Sequence, residues 1–361
     1  PDHELIVEGV GDGCDVLALH DDMYVIVPPA KIPLAVEVVK RVVARREATL
    51  QIEKNEVIYT HPEPLPPEVL QYIETNRMKL STESAEVAGG IVSKAAPAGT
   101  AAFTSLADSH ERFFARLAHP QLPVIASTII ARASALPRLN HALRTTLPAT
   151  TQQGAQRFDL RLREVVGQKQ DEPPDSPAWM QNALPLSAGG QGLRSQASVA
   201  PFAYLASAAK CSKHLARVGI SFSSRQLTEI DAVIRSVRAR LATHKETSRE
   251  RKRAGSESLF PDKETKGLDV LLPQIGEDFQ SFYTSQPELA DGLQRRLTHF
   301  MVDAPILEAL QADPAHQQRL SLLAQPHASR FLSSTSQALV LRDADARAAI
   351  KLRNGQPANR V

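Results

Sequence analysis

Two adjacent acidic residues between two short apolar runs are the first feature of this sequence that could do chemistry. Asp21 and Asp22 separate residues 16–19 from residues 23–27, and both runs have the length and composition of strands. We therefore predict a β-hairpin with the two acids at its tip. Neighbouring carboxylates repel each other, and a divalent cation such as Mg²⁺ relieves the repulsion. A solvated turn, in which Asp is common, is the alternative.

The segments around this hairpin predict the elements that would position it. Residues 31–47 predict an amphipathic helix, because apolar residues recur at helical spacing and the Lys and Arg residues lie mostly on the other face. Residues 48–52 and 57–60 have strand character, so the order strand–strand–helix–strand fits an α/β layer. Residues 1–13, with three glycines among acids, predict a loop or a broken strand.

A second hairpin is predicted further along the chain. A proline-rich break precedes a short helix near residues 68–76, and residues 87–92 then form two short apolar runs around Gly89 and Gly90. Glycines at such a turn would let the backbone approach a nucleic-acid strand closely. A plain hairpin turn is the alternative explanation of the same two glycines.

The chain becomes helical and basic from about residue 101. Between residues 112 and 169 there are nine Lys or Arg residues against two acids, a surplus of seven positive charges. Such a helical unit can hold a sugar-phosphate backbone by charge without reading its sequence. The predicted helices span residues 103–117, 122–136, 139–147 and 151–168.

The remainder of the chain has one Gly-rich segment and one short basic run. Residues 184–195 could cradle a phosphate before a helix, although a tight structural turn is favoured because the helix is predicted to begin several residues later. A helix is predicted over residues 222–244. Residues 245–253 predict a solvated basic loop that could also touch nucleic acid. Residues 256–361 are predicted to be helical.

The succession of these features resembles the reverse transcriptases of retrotransposons over roughly residues 14–208. In that family a hairpin with two Asp residues is followed by a helix, a lysine-bearing turn, a Gly-bearing hairpin that grips the primer end, and a helical thumb. The segments that carry the resemblance are 16–29, which ends in Val27-Pro28-Pro29, then 50–55, 87–92, 134–145 and 184–195.

The resemblance implies a role for each matching residue. Asp21 would be the principal Mg²⁺ ligand and Asp22 the weaker or more distant one. Lys54 would protonate the leaving pyrophosphate or steady the incoming phosphates. The residues that would contact nucleic acid are Gly89 and Gly90 at the primer and Arg138 and Arg144 at the backbone.

The resemblance also implies an α+β fold with four parts. A partial palm, made of a β-hairpin, a helix and antiparallel strands, would span residues 1–100. A mainly α-helical, basic thumb would follow over residues 101–170. A helical connection with the Gly-rich segment would occupy residues 171–255, and a helical C-terminal extension would occupy residues 256–361.

The implied chemistry is two-metal nucleotidyl transfer, in which a deoxynucleoside triphosphate extends a DNA primer on an RNA template. The family's first metal-ligating Asp lies a long stretch before the hairpin, whereas only about 20 residues precede it here. None of Asp2, Asp12 or Asp15 is at a plausible distance. We therefore expect this fragment to be inactive alone and to lack an upstream partner half that contains the fingers and the rest of the palm.

Two other functions remain open from the sequence. The chain could be a non-catalytic, helical nucleic-acid-binding protein derived from a retroelement, or a helical interaction scaffold. Its net charge of +2 is nearly neutral, so a nucleic-acid surface must come from local clustering. Two cysteines predict neither a disulfide framework nor a zinc site. With no apolar run of about 18 residues and no signal-peptide pattern, we predict no membrane partner and an intracellular protein of cytoplasm or nucleus.

Overall fold

The protein consists of two compact units, Pro1–Ala102 and Phe103–Val361. Helices dominate, and the strands described pair as three sheets of two strands each. This architecture is compatible with the predicted α+β class. The computed structural model describes residues 2–19, 22–61, 63–173, 175–176, 178–253, 267–323, 325, 328, 332 and 343–354.

The first unit contains three helices and the six strands that form the three described sheets. The helices are α1 (Asp2–Val10), α2 (Ile32–Ala44) and α3 (Pro67–Thr75). The strands are β1 (Asp15–Leu19), β2 (Asp22–Ile26), β3 (Glu56–Ile58), β4 (Lys79–Ser81), β5 (Ser84–Val87) and β6 (Gly90–Ser93). Strands β1 and β2 are antiparallel, β3 and β4 are parallel, and β5 and β6 are antiparallel.

Both predicted hairpins and the helix between them are confirmed, but the predicted layer is not. Residues 48–52 were expected to be a strand, and that expectation is wrong, because the chain makes a short 3-10 turn at Ile52–Lys54 instead. Strand β3 pairs with β4 and not with the first hairpin. The β–β–α–β order therefore does not form one sheet within the part of the chain that the structure describes.

Helix α2 is the centre of the first unit. One side of it packs against α1 and the first hairpin, in a cluster that includes Val38, Val39 and Val42. A second cluster joins its first residue, Ile32, to strand β3 and helix α3. Because both clusters share α2, this helix connects the first hairpin to the rest of the unit.

The prediction of a loop or broken strand over residues 1–13 is wrong, because residues 2–10 form helix α1. Ile6 and Val10 are buried against α2, and this burial outweighs the low helix propensity of glycine. Gly9 also permits the contact, since a Cβ there would lie 2.8 Å from Cγ1 of Val38.

The second unit is helical. Helix α4 (Ala96–Asp108) spans the boundary between the two units. The helices that follow are α5 (Glu111–Leu117), α6 (Val124–Ile130), α7 (Pro137–Thr145), α8 (Pro148–Gln170), α9 (Ala178–Ala183), α10 (Gln196–Arg217), α11 (Ser224–Arg253), α12 (Phe279–Ser285), α13 (Leu293–Thr298), α14 (Ala304–Gln311), α15 (Pro314–Leu323) and α16 (Asp343–Arg353).

Two of the helices predicted for this unit differ from the structure in their bounds. The helix expected over residues 103–117 is divided between α4 and α5. The helix expected over residues 122–136 is α6 followed by a π turn at Ala131–Ala135. Pro137 begins α7 instead of ending a helix, because proline is well accommodated in the first turn.

The prediction of a loop over residues 245–253 is also wrong, since α11 continues to Arg253. Lys, Arg and Glu are strong helix formers, so a charged run extends a helix as readily as it forms a loop. Helices α10 to α13 enclose a hydrophobic core in which Leu205, Ile230 and Tyr283 are fully buried. None of the helices described is at once long enough and apolar enough to cross a membrane.

Candidate functional site

The first hairpin places the two acids at the end of a regular antiparallel ladder. The ladder runs from the pair Asp15 and Ile26 to the pair Leu19 and Asp22, so Asp22 is the first residue of β2. Asp21 lies outside the described residues. Asp15 is about 13 Å from Leu19 along the strand, so the register separates it from the tip.

The donor chemistry of this tip fits one magnesium ion. Among the described residues, no three His, Cys, Asp or Glu side chains are grouped so that they could hold a metal, and the side chains of Asp21 and Asp22 are not covered by that statement. Mg²⁺ in proteins is commonly held by one or two carboxylates, with water and substrate phosphates as the other ligands. Asp21 and Asp22 could supply those carboxylates.

The hairpin is held on one face by helix α2. Val16 and Val25 are paired across the strands, and both pack against the α2 cluster. The chain leading into β1 is fixed by Lys31, whose Nζ donates hydrogen bonds to the carbonyl oxygens of Val10 at 3.2 Å and Asp12 at 2.6 Å. Helix, entry loop and hairpin therefore form one connected arrangement.

A hydrogen bond joins the second hairpin to the first. The backbone N–H of Ala88 donates a 2.8 Å hydrogen bond to Oη of Tyr24, which is on β2, two residues after Asp22. Ala88 and Gly89 form the turn with positive φ values of 49° and 75°, as two-residue hairpin turns require. Gly90 begins β6. Gly89 thus has a conformational reason to be glycine, and a nucleic-acid role for both glycines stays a prediction.

Lys54 is exposed at the end of the 3-10 turn that precedes β3. The adjacent parallel pair is fixed by Glu56, which accepts a 2.9 Å ion pair from Lys79 and a hydrogen bond from Ser81. Within the described residues no ion pair or hydrogen bond of the Lys54 side chain is seen, so its amine is available to a ligand. The catalytic role of Lys54 stays a prediction.

The structure does not bring Arg138 and Arg144 together. The guanidinium carbon of Arg138 lies 4.1 Å from the ring centroid of Phe113. Arg144 donates from Nε and Nη2 to Oε1 of Gln294, at 3.2 and 3.0 Å. The two arginines are six residues apart on α7, which places them about 120° apart around the helix. Each therefore has its own partner within the second unit.

Most of the other cations of the predicted thumb are also bound within the unit. Arg157 pairs with Asp108, Arg161 pairs with Glu111 and Glu164, Arg132 donates to the carbonyl oxygens of Gln191 and Leu332, and Lys169 donates to that of Leu122. Arg112, Arg116 and Arg163 are exposed and form no ion pair within the described residues. The sequence alone carries no signal that separates these three from the paired arginines.

The Gly-rich segment leads to a helix whose first turn is already capped. The carboxylate of Asp159 accepts hydrogen bonds from Oγ of Ser195 at 2.6 Å and from the backbone N–H groups of Gln196 and Ala197 at 2.8 and 3.1 Å. Burial raises the pKa of Asp159 above its ordinary value, although these hydrogen bonds oppose the shift. The place that a phosphate would take is filled, so residues 184–195 form a structural turn.

A buried ion pair fixes the end of the same segment. Asp303 is fully buried and accepts hydrogen bonds from Nε and Nη2 of Arg194, at 2.9 and 2.7 Å. Nδ1 of His299 lies 3.5 Å from Oδ2 of Asp303. Burial alone would raise the pKa of Asp303, but the bonds from His299 and Arg194 outweigh it and hold the pKa below its ordinary value.

Replacing Asp303 with Asn is expected to destabilise the second unit by about 2–4 kcal/mol at pH 7, because the Arg194 charge loses its counterion. A carboxyl group with a lowered folded-state pKa stabilises the protein above its unfolded pKa, which is about 4, and this stability is lost as the pH falls through the folded pKa. The difference between wild type and variant should therefore shrink below pH 4. Urea unfolding at pH 7, 5 and 3 measures it.

The exposed Asp291, which lies 3.4 Å from Lys210, provides the matched control. Asp291→Asn removes the same charge, and it should change the free energy of unfolding by no more than about 0.5 kcal/mol. A constant difference between Asp303→Asn and wild type at all three pH values would contradict the ionic role of Asp303.

No protein-family model, curated protein or solved structure matches this chain. The residues and their geometry are therefore what indicates a function.

Proposed function

We propose that this chain is the palm end and thumb of a retrotransposon-type reverse transcriptase. The first unit would be the partial palm, and the helices of residues 101–170 would be the thumb. Residues 171–255 and 256–361 would be the helical connection and the C-terminal extension. The observation that carries the proposal is the Ala88–Tyr24 hydrogen bond, which places the turn of the Gly-bearing hairpin beside the strand that begins with Asp22. Nucleotidyl transfer needs the primer end close to the metal, and adjacent hairpins meet that need.

Each predicted residue has a role under this proposal. Asp21 and Asp22 would hold Mg²⁺, which supplies activation of the primer 3′-hydroxyl and stabilisation of the leaving oxygen. Lys54 would deliver a proton to the departing pyrophosphate. The backbone at Gly89 and Gly90 would contact the primer strand, because neither residue has a side chain. Gly89 is partly exposed at the turn, whereas Gly90 is buried at the start of β6.

The partners follow from the same chemistry. The substrates would be a DNA primer, an RNA template and deoxynucleoside triphosphates, encountered inside the cell in the cytoplasm or the nucleus. Asp15 is the nearest described acid along β1, and it lies at the far end of the ladder. We therefore expect a further metal ligand, together with the template-holding fingers, to come from an upstream partner half. Primer extension by this chain alone should give no processive synthesis.

The experiment is cleavage of the full chain by Fe²⁺ bound in place of Mg²⁺. With ascorbate and peroxide, the bound iron generates hydroxyl radicals that cut only the nearest backbone, and mass spectrometry locates the cuts. We expect cuts near residues 19–24 and a second set near residue 88, because Ala88 is hydrogen-bonded to Tyr24. Excess Mg²⁺ should suppress both sets by competition.

Asp21→Asn is the control, and it should remove both sets of cuts together. Cuts that persist in this variant, or that fall elsewhere, would count against the metal hairpin. The second candidate is a non-catalytic nucleic-acid-binding protein, which the distance between Asp15 and the tip favours. If the chain binds an RNA–DNA duplex but shows no specific cleavage, the second candidate is the correct one.

A further inference from the structure

We propose that Arg112, Arg116 and Arg138 form one phosphate-binding face that holds the sugar-phosphate backbone of a nucleic-acid duplex. This inference deepens the proposed function, on which it rests for the class of partner. It adds Arg112 and Arg116, which the sequence does not single out, to the predicted contact Arg138. The face consists of the exposed side of α5 and the arginine of α7 that stacks on it.

The acids beside α5 are already neutralised by another helix. Glu111 accepts a 2.9 Å hydrogen bond from Nε of Arg161, and Asp108 lies 2.9 Å from Nη2 of Arg157. Both of these arginines are on α8. The carboxylates nearest in sequence to the face are thus paired with arginines of α8. The positive charges of α5 are therefore available to bind a ligand.

Arg112 and Arg116 are exposed and form no ion pair in the described part of the chain. They are four residues apart, so they lie on the same side of α5, about 6 Å apart at Cβ. Phe114 and Leu117 are buried, which turns the arginine side outward. Like charges at this spacing destabilise a free helix, and an anion between them removes that cost. The spacing is similar to that of neighbouring phosphates on one strand of a duplex.

Arg138, which lies on α7, extends the same face. Its guanidinium carbon lies 4.1 Å from the ring centroid of Phe113, and Phe113 precedes Arg116 by three residues, which makes them neighbours on α5. Stacking on an aromatic ring fixes the plane of a guanidinium and leaves its edge free to donate hydrogen bonds. Less side-chain freedom is then lost when Arg138 binds a phosphate.

The arrangement favours a duplex backbone over unpaired bases. Proteins that bind single strands present open aromatic rings on which bases stack. Phe113 is half-buried, and one face of its ring is covered by Arg138. The groups that this face offers are therefore guanidinium donors, which bind phosphate without reading the sequence.

The test measures binding of a labelled RNA–DNA duplex to the full chain by fluorescence anisotropy in EDTA, over a series of salt concentrations. The double variant Arg112→Gln with Arg116→Gln should weaken binding about tenfold at low salt and reduce the slope of log K against log salt by about 2. Phe113→Leu keeps every charge but releases Arg138, and should weaken binding about two- to threefold.

The charge-matched control is the double variant Lys213→Gln with Arg217→Gln, because these two residues are also exposed and four residues apart, and they lie on α10, which is not part of the face. It should weaken binding less than about twofold. Equal losses in the two double variants would overturn the proposal, because net charge alone would then explain the binding. The proposal would also be overturned if poly-glutamate displaced the labelled duplex as well as unlabelled duplex does at the same concentration of negative charge.

The same assay separates this inference from the metal chemistry. Because EDTA removes divalent ions, the duplex binding measured in this assay does not depend on a metal at the hairpin. Intact duplex binding through this face with no iron cleavage at the hairpin would refute the polymerase assignment and leave the phosphate face in place. Iron cleavage at the hairpin with no loss of binding in the Arg112 and Arg116 variant would refute the face alone.

Discussion

Replacing Gly190 with alanine is expected to lower the free energy of unfolding of the Phe103–Val361 unit by about 3–5 kcal/mol. A Cβ at this position would clash with the carbonyl oxygen of Leu184 and would lie 2.5 Å from that of Gln181. Both oxygens belong to backbone that is itself held, since Leu184 accepts a 2.7 Å hydrogen bond from the N–H of Gly192. The turn cannot widen without breaking the bonds that define it.

The chain contains its own probe for this measurement. Trp179 is the only tryptophan. It is buried on α9, and its Nε1 donates a 3.0 Å hydrogen bond to the carbonyl oxygen of Pro173. Denaturant unfolding followed by its fluorescence therefore reports on the second unit and on the segment next to Gly190.

Gly219 provides the control for a glycine that is required only by its backbone angle. Its φ is +72°, and a Cβ there would meet nothing within 4 Å. Gly219→Ala should cost about 1 kcal/mol, the usual penalty of a left-handed alanine. If Gly190→Ala lowers the free energy of unfolding by no more than Gly219→Ala does, the turn does not approach Leu184 as closely as described.

Local patterns predict the elements that hold the candidate site. The apolar runs around Asp21 and Asp22 define a hairpin because both runs have the length of a strand, the second is rich in β-branched residues, and Asp is common in turns. The helical repeat of valines defines α2, whose buried face then holds that hairpin. The two glycines after Val87 predict a second turn, and the structure has one there.

Contacts between residues far apart in sequence account for what local patterns missed. Helix α1 forms because Ile6 and Val10 pack on α2, which no pattern within residues 1–13 can express. The Gly-rich segment is capped by Asp159, which lies 36 residues before Ser195. Patterns of one segment carry no information about such a partner.

The partners of the basic residues also depend on contacts between distant parts of the chain. Arg144 was predicted from its place in a helix, yet its side chain donates to Gln294, 150 residues away. Arg112 and Arg116 have the same charge and a similar local sequence, but the acids that could have neutralised them pair with α8 instead. Only the fold distinguishes a paired arginine from one available to a ligand.

Asp21→Asn is expected to abolish the stabilising effect of Mg²⁺ on the first unit. In EDTA the variant should be more stable than wild type, because the repulsion between Asp21 and Asp22 is removed. In Mg²⁺ the wild type should gain about 1.4 kcal/mol when the ion is at ten times its dissociation constant, and the variant should gain almost nothing. Thermal unfolding in EDTA and in a series of Mg²⁺ concentrations measures both effects.

Asp15→Asn is the control because it removes the same charge from the same hairpin. Asp15 pairs with Ile26 at the other end of the ladder, so its replacement should leave the Mg²⁺ response unchanged. A crossing of the wild-type and Asp21→Asn stability curves identifies a cation site, since only a bound ion turns a destabilising pair into a stabilising one. If Asp21→Asn and Asp15→Asn behave alike, the two adjacent acids form a solvated turn and the metal assignment is wrong.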